Sequence, residues 1–311
     1  MNSNLVSVVI PTHNRPFFLK RAIVSVLKQD YKNIEIIVVV DGISQETEQL
    51  VKELINLTVT PIKIIQTVKK VGGSEARNIG ALNSNGNFIA LLDDDDEWYS
   101  DKITSQLEQV QTNKFTDKDD FICFTSLHRY KNIEQKELDK LPNVNFKDSK
   151  VTTMAEYLFG TKGLRNIGFI QTSSVLVPKR LLIKIPFTKD LPKHQDWDWL
   201  LKLDREANLE VLQVIEPKLI YHFDVPKEIR TGYINRWRFT EKWGLTHKKD
   251  FSRQTYESFM LNYVLLGIAT DKSMNIRDKI INIVIRFNKL SWETKLRPYT
   301  WKMVVYMLMN K

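Results

Sequence analysis

The first third of the sequence alternates between short apolar runs and amphipathic segments, and no other feature limits the fold as strongly. Apolar, β-branched runs predict buried strands at residues 5–10, 34–40, 61–67 and 88–92, and helical periodicity covers residues 15–29, 45–55, 72–83 and 99–113. Strands and helices that alternate with short links require a parallel sheet with helices on both faces. The sequence therefore predicts an α/β fold built on a Rossmann-like, mostly parallel sheet.

The second part of the chain follows a different pattern. Extended segments are predicted at residues 121–129, 167–177 and 209–222, a helix at 195–207, and an irregular polar stretch at 130–152. From residue 227 onward only helical patterns occur. We therefore predict an α/β domain over residues 1–225 and an all-helical C-terminal extension over residues 226–311.

Composition narrows the class of protein. A hydrophobic fraction of 42% and a charged fraction of 27% are ordinary for a globular protein. The one cysteine, Cys123, excludes an internal disulfide and is typical of a reducing cytoplasm. No signal peptide precedes the first predicted strand, and no run reaches the roughly 18 apolar residues of a membrane span. We therefore expect a cytoplasmic protein.

The net charge of +9 lies mainly at the C-terminal end, where residues 271–311 contain nine basic and three acidic side chains. Apolar residues recur there at helical intervals among the basic ones, at Ile276, Ile280, Ile283, Val284 and Phe287, and tryptophans and tyrosines follow. Such helices are typical of segments that lie on an anionic membrane surface. The alternatives are a helical cap on the α/β domain and an oligomer contact. No nucleic-acid partner is expected, because no binding motif is present.

Four consecutive aspartates, Asp93, Asp94, Asp95 and Asp96, follow directly after the apolar run at 88–92. Each close pair of carboxylates repels by about 1 to 4 kcal/mol, depending on the local dielectric. A hard divalent cation would remove this repulsion, and oxygen ligands select Mg²⁺, Mn²⁺ or Ca²⁺ over Zn²⁺. The alternatives are a solvated acidic loop and the first turn of a helix.

Three other polar clusters lie at the carboxyl ends of predicted strands, where ligands bind in open parallel sheets. They are Pro11-Thr12-His13-Asn14-Arg15, Asp41-Gly42 and the segment from Gly72 to Asn78. Each could be a cap or a turn, and the Gly72-Gly73 pair could also cradle a phosphate on its backbone amides. Together with the aspartates they predict a polar site on one edge of the sheet.

These segments, in this order, resemble the family 2 glycosyltransferases of GT-A fold. The resemblance is dense over residues 5–105, through the stretches 6–15, 39–42, 73–80 and 88–98, and a looser match follows at 194–200. Residues 226–311 match no segment of the family. Two departures are Val40, where the family often has an acid, and His194-Gln195, where it usually has a glutamate.

The resemblance implies a role for each matching residue. It makes Asp41 and Arg77 contacts of the nucleotide and Asp196 the general base. Asp95 would bind a metal bridging the diphosphate, and Asp93 would reach the ribose or the metal's waters. The full set comprises Pro11, Thr12, Asn14, Arg15, Asp41, Arg77, Asp93 and Asp94 for the nucleotide, Asp95, Asp93 and His222 for the metal, and Trp197, Asp198 and Thr172 for the acceptor, with Trp199 as part of a sugar-facing wall.

The function implied is transfer of a sugar, with inversion, from a UDP-sugar or dTDP-sugar to a glycan or lipid-linked acceptor. Residues 1–105 would bind the nucleotide-sugar and residues 106–225 the acceptor, with Mn²⁺ or Mg²⁺ as cofactor. A composition rich in lysine, asparagine and isoleucine favours a bacterial source, so surface polysaccharide synthesis at the inner face of the cell membrane is the expected setting. The alternatives are a sugar-nucleotide pyrophosphorylase and a catalytically silent nucleotide-binding scaffold at the membrane.

Overall fold

A computed structural model describes residues 4–132, 137–222 and 234–309, and it is a mixed α/β structure. The strands are β1 Val6–Thr12, β2 Ile34–Val40, β3 Ile62–Gln66, β4 Phe88–Leu91, β5 Glu97–Trp98, β6 Phe121–Asn132, β7 Glu137–Leu141, β8 Thr161–Lys162, β9 Arg165–Asn166, β10 Val175–Pro178 and β11 Glu210–Tyr221. The helices are α1 Pro16–Leu27, α2 Gln45–Ile55, α3 Gly72–Leu82, α4 Lys102–Thr112, α5 Phe146–Ser149, α6 Met154–Phe159, α7 Lys179–Lys184, α8 Gln195–Glu206, α9 Trp237–Thr246, α10 Arg253–Phe259, α11 Leu266–Ala269, α12 Ile276–Asn288, α13 Trp292–Lys295 and α14 Pro298–Met309.

The parallel half of the main sheet has the order β3-β2-β1-β4, and all three of its pairings are parallel. Every residue of β1 and β2 is buried, because helices cover both faces of the sheet. Gly80 lets α3 lie close to these strands, since a Cβ atom there would come within 2.3 Å of a methyl group of Val9. The predicted α/β alternation is confirmed here.

The other half of the sheet is mixed. β10 runs antiparallel to both β4 and β6, and β11 runs parallel to β6 but antiparallel to β5. The predicted strand at 167–177 is wrong over most of its length, because Gln171 accepts a hydrogen bond from the backbone of Ser173 and the chain turns at Thr172–Ser174. The segment predicted to be irregular contains β7, which pairs with β6.

The chain divides into two compact units. The first contains Met1–Asn145 and Ile170–Val225, and the second contains Phe146–Phe169 and Pro226–Lys311. Residues 146–169, which the sequence grouped with the α/β domain, therefore belong with the helices. The predicted boundary near residue 225 lies outside the described residues.

The second unit has its own aromatic core around Phe159, whose ring lies 5.3 Å from Phe251 and 5.4 Å from Phe259 between centroids. A π-helical turn at Met260–Leu265 joins α10 to α11 in one continuous helix. Among the helices of the described ranges, none has both the length and the apolar character that crossing a bilayer requires.

Candidate active site

The predicted site residues of the first unit gather at the carboxyl ends of β1, β2 and β4, the edge where parallel sheets bind ligands. Thr12 ends β1, and its Oγ1 donates a hydrogen bond of 2.6 Å to Oδ2 of Asp94. Arg15 lies just beyond, and its Nε donates to the same Oδ2 over 3.1 Å. Two clusters that are 80 residues apart in sequence are thus joined directly.

The four aspartates alternate in exposure. The side chains of Asp94 and Asp96 are fully buried, whereas those of Asp93 and Asp95 are 24% and 17% exposed. Burial raises the pKa of Asp94 to about 7, against the opposing effect of Arg15. Asp94 is thus enclosed and holds Thr12 and Arg15 in place, and its contact with the nucleotide stays a prediction.

Asp96 belongs to a buried polar network behind Asp93. Its Oδ2 accepts hydrogen bonds from Gln171 Nε2, at 2.7 Å, and from Ser173 Oγ, at 2.6 Å. Among the described residues its Oδ1 has no partner, and burial raises the pKa of Asp96 well above its usual value. Burial thus favours the protonated form of this carboxyl group.

The same network fixes Asp93. The Asp93 backbone N–H donates to Ser173 Oγ over 2.9 Å, and Gln171 Nε2 lies 3.1 Å from Asp93 Oδ2. Gln171 has no role that the sequence motifs predict. The signal that could have found it is a run of four polar residues, 171–174, inside an otherwise apolar segment.

Arg77 connects the aspartates to helix α8. Its Nη2 lies 2.5 Å from Asp93 Oδ1, and its Nη1 donates to Oε1 of Gln195 over 3.0 Å. Gly73 permits this arrangement, because a Cβ atom there would lie 2.9 Å from Gln195 Oε1 and 3.1 Å from Arg77 Nη1. Gln195 is therefore a second site residue without a predicted role.

Asp41 directly follows β2, and its carboxylate lies at the start of α3. Its Oδ1 accepts the backbone N–H of Val71 over 2.5 Å, and its Oδ2 accepts that of Gly72 over 3.0 Å. Gly72 has φ +82°, a conformation that glycine adopts without steric cost. The carboxylate thus orders the loop that leads into α3.

Asp196 lies in the first turn of α8 and is half-buried. Burial raises the pKa of Asp196 to about 6, with Asp93 raising it further and Arg77 opposing the shift. Its Oδ1 also accepts the backbone N–H of Trp197 over 2.9 Å. A carboxylate with this pKa is suited to accept a proton near neutral pH.

The residues beside Asp196 divide into half-exposed and buried ones. Trp197 is half-buried and stacks on His194, with ring centroids 4.3 Å apart. Trp199 is 1% exposed, stacks on Phe187 at 4.4 Å and donates to the Ile185 carbonyl. The interpretation of Trp199 as part of a sugar-facing wall is therefore wrong.

The remaining predicted residues are distributed around this edge. Pro11 lies within β1, and Asn14 is exposed with a left-handed φ of +50°. Thr172 and Asp198 are buried, at 7% and 5% exposed. His222 follows β11, and its Nε2 lies 3.2 Å from Oε2 of Glu97.

Asp93 and Asp95, which are paired with Arg77 and Arg15, are the two carboxylates considered for a divalent cation. No group of three or more His, Cys, Asp or Glu side chains within the described ranges is arranged to hold an ion by itself. Asp93 and Asp95 nevertheless present partly exposed oxygen ligands, and Mg²⁺ is commonly held by one or two carboxylates plus the phosphates of its substrate. The residues therefore fit an ion whose coordination a diphosphate completes.

Comparisons with known proteins bear on the family and the fold of this chain. The sequence profile of glycosyl transferase family 2 matches residues 7–169. The amylovoran biosynthesis glycosyltransferase AmsB of Erwinia amylovora is 28% identical over 276 residues, which are 86% of this chain and 88% of AmsB.

Two solved structures share the fold over nearly the whole chain. Residues 1–349 of S. aureus TarS, in complex with UDP-GlcNAc, superpose with a TM-score of 0.64 at 18% identity, over 98% of this chain and 89% of that one. The mannosyltransferase PcManGT from Pyrobaculum calidifontis, in complex with GDP-Man and Mn²⁺, gives a TM-score of 0.61 at 12% identity, over 100% of this chain and 89% of that one. The predicted GT-A-type α/β fold is thereby confirmed.

Proposed function

Because the chain belongs to glycosyl transferase family 2, we propose that it transfers a sugar with inversion from a nucleotide-sugar to a glycan or lipid-linked acceptor. The observation that carries the proposal is the environment of Asp196. This half-buried carboxylate, with a pKa of about 6, lies on a helix that is hydrogen-bonded to Arg77, which in turn is paired with Asp93. One base beside one cation-binding carboxylate is the minimum that a metal-assisted transfer requires.

The donor is proposed to be a UDP-sugar or a dTDP-sugar. The guanidinium groups of Arg15 and Arg77 lie beside the partly exposed carboxylates and would contact the diphosphate, and Arg forms strong paired hydrogen bonds with such groups. Asp41, whose carboxylate orders the loop before α3, is proposed to contact the uracil or thymine side. Pro11, Thr12 and Asn14 are proposed to line the base pocket.

A divalent cation, Mn²⁺ or Mg²⁺, is proposed to be held by Asp93 and Asp95 together with the donor. When bound it would neutralise charge on the departing nucleoside diphosphate. The network of Gln171, Ser173 and Asp96 supports this assignment, because it fixes Asp93 from behind. His222 is proposed as a third ligand, because β11, which it follows, pairs with β5 directly after the aspartate run.

In the proposed reaction, Asp196 accepts the proton of an acceptor hydroxyl. The hydroxyl oxygen forms a bond to the anomeric carbon on the face opposite the diphosphate. The bond between that carbon and the phosphate oxygen breaks, and its electron pair leaves with the nucleoside diphosphate. Because attack and departure occur on opposite faces, the anomeric configuration inverts.

The acceptor is proposed to bind beside Trp197, whose half-exposed ring suits a pyranose face. Asp198 and Thr172 are proposed as further residues of the acceptor site.

The relationship to AmsB, named for amylovoran biosynthesis, supports a role in polysaccharide assembly. The proposed location is the cytoplasm, peripherally on the inner face of the cell membrane, where a lipid-linked acceptor is accessible.

The test is Asp196→Asn, assayed for release of nucleoside diphosphate from a panel of nucleotide-sugars with Mn²⁺ present. Loss of a general base is expected to lower kcat by about 10²- to 10⁴-fold. Donor affinity, measured by calorimetry, is expected to stay unchanged. Glu206→Gln, at the exposed far end of the same helix, is the matched control and is expected to keep full activity.

The alternatives give different outcomes. A nucleotide-binding scaffold would bind the donor without turnover in the unmodified chain, and a pyrophosphorylase would release pyrophosphate while consuming a sugar phosphate. Retention of anomeric configuration in the product, read from proton couplings, would contradict the proposed mechanism.

A further inference from the structure

Helix α12 turns an apolar surface away from the unit to which it belongs. Every residue of α12 is described, and no side chain in it is buried. Five large apolar side chains are between 44% and 52% exposed: Ile276, Ile280, Ile281, Val284 and Ile285. Exposed apolar residues are unremarkable singly, but a contiguous set marks an interaction site.

The five residues form one face of the helix. Ile276, Ile280 and Val284 follow one another at intervals of four, and Ile281 and Ile285 form the adjacent row. Arg277 begins this second row and is itself exposed. The outward face of α12, defined by these six residues, is therefore apolar with one basic residue within it, and the exposed side chains of Asp278 and Asn288 lie next to it.

The inward side of α12 is mixed, because it contains Arg286 as well as the half-buried apolar side chains of Ile283 and Phe287. Arg286 donates two hydrogen bonds to Glu241 of α9, at 2.7 and 2.8 Å, and its guanidinium lies 5.0 Å from the Trp237 ring centroid. Ile283 and Phe287, which sequence periodicity assigned to the membrane-facing side, are only half-exposed. α12 therefore packs through one charged contact and two half-buried apolar side chains, and five further large apolar side chains stay exposed.

Basic and aromatic side chains accompany this face in the same unit. Lys272 and Lys289, which flank α12 in sequence, are both exposed. Trp292 is 76% exposed, and the ammonium group of Lys295 lies 4.9 Å from its ring centroid. Exposed tryptophan with lysine beside it is typical of residues at the membrane interface.

We propose that the outward face of α12 docks on an anionic membrane surface, with its isoleucines in the acyl boundary and Arg277 and Lys289 at the headgroups. This inference rests on the part of the proposed function that puts the acceptor at a membrane. Charge disfavours a second copy of the chain. The exposed charges on and beside the face, at Lys272, Arg277, Asp278 and Lys289, sum to +2, and an isologous contact would bring two such surfaces together. An anionic bilayer instead neutralises them.

The experiment is co-sedimentation of the full chain with vesicles of phosphatidylglycerol and phosphatidylcholine, compared with vesicles of phosphatidylcholine alone. Wild-type protein is expected to sediment with the anionic vesicles only. Ile281→Asn/Ile285→Asn is expected to weaken partitioning by about tenfold or more, because two apolar side chains no longer leave water. Arg277→Glu is expected to weaken it by about fivefold or more.

Matched controls lie on the other unit. Val68→Asn removes an exposed apolar side chain and Lys28→Glu reverses an exposed charge, and both are expected to bind vesicles like wild type. Since all these positions are exposed, each variant is expected to keep the thermal melting point of wild type, which is the folding check.

The inference is overturned if the wild-type protein does not co-sediment with anionic vesicles, or if the α12 variants bind these vesicles as well as wild type does. It is also overturned if wild type is a dimer that the α12 variants convert to monomer, since a second copy then covers the face. Release of nucleoside diphosphate from a soluble donor is measured in parallel. Donor turnover without vesicle binding defeats only the membrane inference, and vesicle binding without donor turnover defeats only the proposed transferase.

Discussion

Asp196 carries a pKa of about 6 chiefly because burial disfavours its charged form, and the nearby Asp93 adds to the effect. As a general base it must be ionised, so activity requires a pH above that value. We predict that kcat/KM falls tenfold per pH unit below about pH 6. The measurement is the pH profile of donor turnover at subsaturating acceptor. A profile that stays flat well below this pH would contradict the assignment.

The same shift acts in the opposite direction on stability. A folded-state pKa above the unfolded value means that the folded protein binds the proton more tightly, so this contribution to stability is lost as pH rises through about 6. In the pH range where Asp196 would function, its ionised form therefore lowers the stability of the folded protein. Such a perturbed pKa is typical of residues at functional sites.

Gly73 is the position where the site tolerates least change. A methyl group there would meet both Gln195 and Arg77, so we predict that Gly73→Ala separates this pair and lowers kcat/KM by about tenfold or more. The change in unfolding free energy is expected to be about 1 kcal/mol. Gly72→Ala is the control, because a Cβ atom there meets nothing within 4 Å and only the backbone strain at φ +82° is added. Equal losses of activity in both variants would show that the backbone, and not the contact, matters.

At the turn before β10, the side chains of Gln171 and Ser173 contact the aspartates and do not need to reach a substrate. Gln171 contacts both Asp93 and Asp96, and Ser173 accepts the backbone N–H of Asp93. Their role is therefore to orient a carboxylate that is itself proposed to bind the cation. Partners of this kind govern the affinity of a metal site without touching the metal.

We predict that Gln171→Ala and Ser173→Ala raise the Mn²⁺ concentration needed for half-maximal donor turnover by about 10- to 100-fold. The measurement is a Mn²⁺ titration at saturating donor, with kcat at saturating Mn²⁺ as the second readout. Thr125→Val is the control, since Thr125 is buried nearby in β6 and its Oγ1 has no partner among the described residues. An unchanged Mn²⁺ requirement with reduced kcat would instead indicate a general loss of structure.

Local pattern was sufficient to predict the parallel half of the sheet. Strands β1, β2 and β3 are apolar runs whose neighbours in sequence are also their neighbours in space, so periodicity and breakers define them. Strands β5 and β7 were not predictable from local pattern. β5 has only two residues and pairs with β11, whereas β7 is polar and pairs with β6. Their existence is set by tertiary contact, which no window of the sequence contains.

The site residues also divide into those that a local motif predicts and those that depend on distant partners. The aspartate run, Arg77 and Asp196 could be found because each lies in a distinctive motif, whereas Gln171 and Gln195 act through partners 78 and 118 residues away. Trp199 was misassigned because an aromatic residue beside a catalytic candidate has the same sequence signature whether it faces a sugar or the core. Only the contact with Phe187 distinguishes the two.

The division into two units has a consequence for truncation. A chain ending at Val225, the boundary that the sequence suggested, would keep residues 146–169 with α5 and α6, but it would lose helices α9 to α14 of the same unit. Phe159 would then lack Trp243, Phe251 and Phe259, which surround its ring in the full chain. An aromatic side chain of this kind buries roughly 150–250 Å². The truncated chain would therefore expose a large apolar surface.

We predict that the chain ending at Val225 aggregates or binds the dye ANS, although the site residues are all present.

In the full chain, Phe159→Ala is expected to lower the unfolding free energy by about 3–5 kcal/mol, because a large core ring is lost. In the truncated chain the same substitution is expected to cost nothing and to reduce ANS binding, since the ring is already exposed. Urea unfolding of both pairs measures this difference. A truncated chain that is monomeric, free of ANS binding and as stable as the full chain would show that residues 146–169 do not depend on the C-terminal helices.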